Sequence, residues 1–201
     1  MTTTGIQLVA HAPTRALRLA TFGSGNVDLD EGGRRAALAL ANQAPARWGE
    51  HWCVSSPAEA AVQTAMAWGL RPTIEAAIAD CDYGDWTGHT LDEVAATNPD
   101  GVQRWLIDPD AAPHGGETLT TLIDRVGHWL HAQTTRCERI TAITHAAVIR
   151  AALVNALRAP STAFWQLDVA PLSVLHLRAG PRGWKVHLAT AGPTAAVRHG
   201  T

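Results

Sequence analysis

The chain has 201 residues, 46% hydrophobic and 17% charged, with a formal net charge of -2. That length supports one sizeable core rather than two ordinary domains, so residues 1–201 are expected to form a single domain. The balance of apolar and charged residues excludes a disordered chain, and the near-neutral charge excludes a nucleic-acid-sized basic surface, leaving a small-molecule substrate as the expected partner.

In chain order, residues 6–10 are a short apolar run ending at His11, which predicts a buried strand that delivers an imidazole at its C-terminal end. A helix is expected over residues 31–46, with Ala37, Leu38, Leu40 and Ala41 on its apolar side. Residues 52–54 read as a second strand, stopped by Ser55-Ser56-Pro57, with Ser56 able to cap a helix that begins at Pro57. Residues 73–88 carry a mixed pattern, loop-like from Tyr83 onward. A short helix over 100–108 is followed by a loop containing proline and glycine through Gly116. Leu119, Leu122, Ile123, Val126, Trp129 and Leu130 then recur at i, i+3, i+4, i+7 spacing, an amphipathic helix capped by Glu117 or Thr118.

Residues 140–144 form another short apolar run that ends at a histidine, His145, just ahead of a helical run with Val148, Ile149, Leu153 and Leu157. Residues 172–177 and 184–188 flank Ala179-Gly180-Pro181-Arg182-Gly183 and read as a closing hairpin. Strands alternating with helices predict an α/β fold of three layers, a mostly parallel central sheet with helices on both faces.

Cys53, Cys81 and Cys137 are odd in number and widely spaced, which suggests neither a disulfide framework nor a zinc site and fits a reducing cytosol. Residues 1–5 lack a basic segment leading into an apolar run, and no apolar stretch approaches membrane-span length. A cytoplasmic protein without membrane association is therefore expected, needing no metal or other cofactor and compatible with a homodimer. Eight tryptophans stand against one tyrosine and two phenylalanines, most of them expected to be packing residues.

Two strand ends that each present a histidine place His11 and His145 in one site, because ligands bind beyond the carboxyl ends of strands in open α/β sheets. The sequence around them resembles the histidine phosphatase superfamily, in its phosphoglycerate-mutase-like, α-ribazole phosphatase-like branch. Leu8-Val9-Ala10-His11-Ala12-Pro13-Thr14 looks like the opening Arg-His-Gly-x-Thr motif. Ser55-Ser56-Pro57 through Gln63-Thr64-Ala65 is similar to the second motif. Asp80 precedes a Tyr83-Gly84-Asp85-Trp86-Thr87-Gly88 turn that resembles the general-acid segment, Gly115-Gly116-Glu117-Thr118 resembles Pro-Gly-Gly-Glu-Ser, and Thr144-His145 through Arg150 resembles Ser-His-Gly-x-x-Ile-Arg.

The resemblance implies a phosphomonoester hydrolase in which His11 attacks phosphorus, His145 faces the phosphoryl group and Asp80 protonates the leaving oxygen, with Asp82 and Asp85 as alternative acids. Its two phosphate-binding arginines are replaced by Ala10 and Ala60. Charge-assisted hydrogen bonds are worth about 1.5 to 3 kcal/mol each, so losing both weakens transition-state stabilisation by roughly two to four powers of ten. Arg18 is the preferred substitute and Arg15 the second. Thr14, Ser56, His114 and Glu117 complete the expected substrate-binding set, whereas Arg150 is expected to be structural. A cation-poor pocket should also leave His145 near the ordinary imidazole value of about 6.5, suited to acid/base work. The alternatives are therefore a divergent enzyme using the same His/His/Asp pocket without phosphoryl transfer, and a binding protein that has lost catalysis.

Overall fold

The computed structural model describes residues 4–23, 27–43, 52–136 and 139–187. Six strands, β1 (Gly5–Ala10), β2 (Trp52–Ser55), β3 (Thr73–Ile74), β4 (Arg139–Thr144), β5 (Val174–Gly180) and β6 (Gly183–His187), form one sheet in the order β3-β2-β4-β1-β5-β6. The first four are mutually parallel, while β5 and β6 add as an antiparallel pair beside β1. The helices are α1 (Arg15–Arg18), α2 (Glu31–Gln43), α3 (Glu59–Ala67), α4 (Leu91–Thr97), α5 (Pro99–Ile107), α6 (Leu119–Gln133) and α7 (Ala146–Leu157).

Side chains of a strand alternate between faces, and both faces of this sheet are buried. Ile6, Leu8 and Ala10 of β1 join Val54, Ile140 and Ala142 against Leu122, Val126 and Leu130 of α6 and Val148, Ala151 and Ala152 of α7. Val9, one residue out of step, packs with Cys53 and Ile143 on the other side, against Ala61 and Ala65 of α3 and Leu40 and Ala41 of α2. This is the expected three-layer α/β arrangement, and its parallel strands accordingly read as continuous apolar runs.

The local departures have identifiable causes. Helix α3 begins at Glu59 with Ala58 as its cap, not at Pro57, while the Ser56 hydroxyl accepts from the Ala58 amide at 3.2 Å and faces His145 Nε2. Helix α4 lies inside a stretch given no element from sequence, although Thr90 and Glu93 form a reciprocal capping box there. Thr118 rather than Glu117 caps α6. The closing hairpin is β5–β6, starting at Val174 because Leu172 has a positive φ that ends extended backbone. The expected residues 44–46 of the first long helix, Cys137 and Leu188 lie outside the described residues. Among the described residues, no helix is long and apolar enough to cross a membrane.

Candidate active site

Strand register assembles the site. Parallel pairing sets Ala10 of β1 opposite Thr144 of β4, so the next residues, His11 and His145, leave the sheet at the same level. Their ring centroids stand 5.1 Å apart in an edge-to-face arrangement. On the other side of β4, Ser55 pairs with Ile143, and the Ser56 amide donates to the Ile143 carbonyl at 2.9 Å. Three adjacent strand ends thus present His11, His145 and Ser56 in a row. The Thr144 carbonyl accepts from the His11 amide at 2.8 Å, and Thr64 of α3 fixes the next residue, its hydroxyl accepting from the Ala12 amide at 3.0 Å.

Asp80 reaches this row from a segment with little regular structure, and a partly buried cation holds it there. The Thr144 hydroxyl donates to the Ile78 carbonyl at 2.7 Å, tying the short 3-10 turn Ala76–Ile78 to the end of β4. Arg125 of α6 donates to the carbonyls of Ala77, Ala79 and Asp80, while its fork makes a bidentate pair with Glu117 at 2.9 and 2.8 Å. The opposite wall of this segment depends on two glycines. A Cβ on Gly84, whose φ is +45°, would fall 2.1 Å from the His114 carbonyl oxygen, and one on Gly116 would fall 2.2 Å from that of Asp82. Only glycine permits the two loops to approach so closely.

Both histidines are polarised by defined partners. His11 Nδ1 lies 2.8 Å from the Ala12 carbonyl oxygen, which can only accept, so Nδ1 carries the hydrogen and Nε2 of the neutral ring is left as the free lone pair. His145 is 5% exposed, its Nε2 lies 2.7 Å from the Ser56 hydroxyl and its Nδ1 lies 3.5 Å from an Asp80 carboxylate oxygen. Burial pushes its pKa below the ordinary imidazole value; Asp80 opposes that shift, while His11 and Arg125 add to it. The expectation of near-ordinary titration is thus corrected: desolvation outweighs the Asp80 charge. Ser56, Pro57, Ala58, Asp80, Asp82 and His145 line a cleft whose empty space, mouth included, is about 660 Å³, with no lysine or arginine among the described residues that line it.

A pH dependence of stability follows. His114 is fully buried and its Nδ1 accepts from the Gly116 amide at 3.1 Å, a bond that protonation would break. Burial lowers its pKa too, against the opposing charges of Asp82 and Asp85. Below the unfolded imidazole value of about 6.5, the unfolded chain takes up protons at His114 and His145 that the folded chain refuses, so stability falls as pH falls through that range. The urea midpoint is therefore expected to be lower at about pH 5.5 than at about pH 7.5, with an unchanged slope. His114→Gln should flatten part of this dependence; a midpoint that rises on acidification would contradict the assignment.

The sequence pattern of the histidine phosphatase superfamily (branch 1) matches residues 6–191. The chain belongs to that superfamily. Its relatives include the bifunctional protein Rv2228c of Mycobacterium tuberculosis, 31% identical over 182 residues that cover 86% of this chain and 50% of the relative. Phosphoserine phosphatase 1 of Hydrogenobacter thermophilus is 30% identical over 161 residues, 75% of each chain. The chain spans about half the length of the mycobacterial relatives it matches. A candidate alpha-ribazole-5'-P phosphatase of Escherichia coli shares the fold with a TM-score of 0.81 at 18% identity, covering 92% of this chain and 95% of that one.

Within this histidine phosphatase fold, the structure gathers only some of the candidates. His11, His145, Asp80 and Ser56 come together, with His145 Nε2 at the Ser56 hydroxyl and its Nδ1 3.5 Å from an Asp80 carboxylate oxygen. Thr14 is buried and caps α1, accepting from the Leu17 amide. Arg18 instead grips Asp30, at 2.8 Å, holding that carboxyl down to about 2, and Arg15 is exposed on the same short helix. Glu117 is spent on Arg125, and His114 lies behind Tyr83 and Trp86 rather than on the cleft surface. His114 and Glu117 were expected to touch ligand from their loop, Thr14 from the opening motif and Arg18 from its closeness to His11, and each of these four has a partner within the protein. Arg125 was missed, although it interrupts the apolar stripe between Leu122 and Trp129, the spacing at which a charge must find an internal partner.

Proposed function

We propose that the protein hydrolyses a phosphomonoester of a small metabolite through a phosphohistidine at His11. The observation that carries this reading is the free Nε2 of His11, held by a backbone carbonyl on its other nitrogen and set beside His145 and Asp80 at the ends of adjacent parallel strands. A neutral imidazole in this state is a competent nucleophile. Its Nε2 attacks phosphorus as the ester P–O bond breaks, and Asp80 gives its proton to the departing oxygen. Water then attacks the phosphohistidine, Asp80 takes up the water proton, and inorganic phosphate leaves with His11 restored. His145 acts through the carboxylate, its Nδ1 facing Asp80 and its Nε2 fixed by Ser56.

Helix termini supply what the alanines at positions 10 and 60 do not. Helices α3 and α7 both begin at the cleft, capped by Ala58 and His145 without a side-chain hydrogen bond, so their first-turn amides are uncommitted to a cap. Backbone N–H groups at such ends favour phosphoryl oxygens. Incubation with a panel of phosphomonoesters is expected to release phosphate and to leave an acid-labile phosphoryl group on His11, detected by mass analysis of the acid-sensitive adduct. Absence of both turnover and adduct across the panel would sink this reading.

A second reading, acid/base chemistry without phosphoryl transfer, is favoured by one observation, the absence of any arginine or lysine among the described cleft-lining residues. It requires an activity dependent on His11 and Asp80 with no covalent phosphorus, so the same adduct measurement separates the two.

A further inference from the structure

Beside the cleft, and sharing Cys81 and Tyr83 with it, lies a second recess lined by Trp105, Leu119, Leu122, Ala147, Arg150, Phe164 and Trp165. Its empty space, mouth included, is about 390 Å³. The walls are aromatic: Trp105 and Trp165 meet at 4.6 Å, Phe164 and Trp165 at 5.0 Å, and Tyr83 and Trp105 at 6.3 Å, all edge-to-face. Among the described residues Arg150 is the one charged residue lining it.

Arg150 is unusual for this protein. Of the described arginines only Arg125 and Arg150 are partly buried; Arg125 pairs with Glu117, whereas Arg150 has no hydrogen bond or ion pair among the described residues. Its Nε is sealed from solvent without a partner. The guanidinium carbon stands 5.7 Å from the Phe164 ring centroid, a cation–π contact that takes up none of its N–H donors. A half-buried cation left in this condition costs free energy unless an anion meets it. The neighbouring polar groups cannot supply that anion. Burial raises the Cys81 thiol and the Tyr83 hydroxyl well above their ordinary values, so both stay neutral. Among the described residues the Tyr83 hydroxyl also makes no hydrogen bond within the protein.

We infer that this recess is a subsite for a carboxylate borne on an aromatic or apolar arm of the ligand, with the carboxylate on the Arg150 fork and the arm against Tyr83, Trp105, Phe164 and Trp165. A guanidinium matches a carboxylate in both plane and charge. A phosphate dianion would leave its second charge uncompensated among aromatic rings, where unpaired charge is most costly. Cys81 and Tyr83 line both spaces, so on this reading a ligand whose phosphoryl group lies in the cleft extends toward Arg150 with its far end. That last step rests on the proposed phosphomonoester chemistry; the recess itself does not.

The test separates the two. Phenylacetate and its neutral isostere phenylacetamide are titrated into the full chain by calorimetry, for the wild type, R150K and R150M. Phenylacetate should bind the wild type at least about tenfold more tightly than phenylacetamide, R150K should lose part of that preference and R150M should lose it. Equal affinity of the acid and the amide for the wild type overturns the assignment, a comparison that does not depend on any variant folding. So does undiminished phenylacetate binding to R150M. In a second arm, 4-(carboxymethyl)phenyl phosphate should exceed phenyl phosphate in kcat/KM by about tenfold or more, a ratio that collapses in R150M. If the acid preference is present while neither ester is hydrolysed, the recess stands and the cleft chemistry falls.

Discussion

His11→Ala is expected to lower kcat/KM for every hydrolysed phosphomonoester by on the order of 10⁴-fold or more and to abolish the covalent phosphoryl adduct, with little change in stability. The size of the effect follows from the site. Among the described residues no arginine or lysine lines the cleft, so less of the rate acceleration can come from charge placed around the phosphoryl group. More of it must then come from the nucleophile. The ring is half-exposed, its Nδ1 is bonded only to the Ala12 carbonyl within its own loop, and the loop is held by the amides of His11 and Ala12, so truncation removes no packing anchor. Steady-state kinetics with an aryl phosphate and mass analysis of the quenched enzyme read the two halves of the prediction. A fall of less than about tenfold with the adduct gone would show that His11 is not the main route of phosphoryl transfer.

The second large effect belongs to Asp80. Asp80→Asn keeps the shape and the acceptor for the Cys81 amide at 3.0 Å but removes the transferable proton. For alkyl phosphates, whose leaving oxygen needs protonation, kcat should fall by roughly 10² to 10⁴. For aryl phosphates with acidic leaving groups the loss should be much smaller, about tenfold. Such a leaving-group dependence distinguishes proton donation from a positional role, which would depress both ester classes alike. Asp82→Asn and Asp85→Asn should change either class little. Asp82 is occupied in closing the Gly84 turn at 2.9 Å, and Asp85 is exposed. An Asp82 variant that reproduced the Asp80 pattern would transfer the acid role to that residue.

How far the sequence reached can be traced through individual residues. His11 and His145 were legible because each follows a short apolar run, and a buried strand of a parallel sheet leaves that signature. Asp80 was legible through its distance from Gly84 in a recognisable turn. Helix α4 was not read because its signal, Thr90 and Glu93, lies in the termini and its seven residues bury little more than Val94. Glu117 and His114 were misread for a related reason. A polar residue in a loop announces a need for a partner without naming it, and the partners here, Arg125 and the Gly116 amide, are chosen by how two loops close over α6.

The amino-acid order by itself determined the alternation of strands and helices, the two histidines at strand ends and the superfamily, because apolar periodicity and short motifs are properties of consecutive residues. Only the tertiary structure decided which polar groups meet: that Arg18 turns to Asp30, that Arg125 holds the Asp80 segment by its carbonyls, that Ser56 engages His145, and that Arg150 is left facing an aromatic recess without a counter-ion. Hydrogen bonds and charge pairs depend on distances of a few ångströms between residues far apart in the chain, and those distances are fixed by strand register and helix packing.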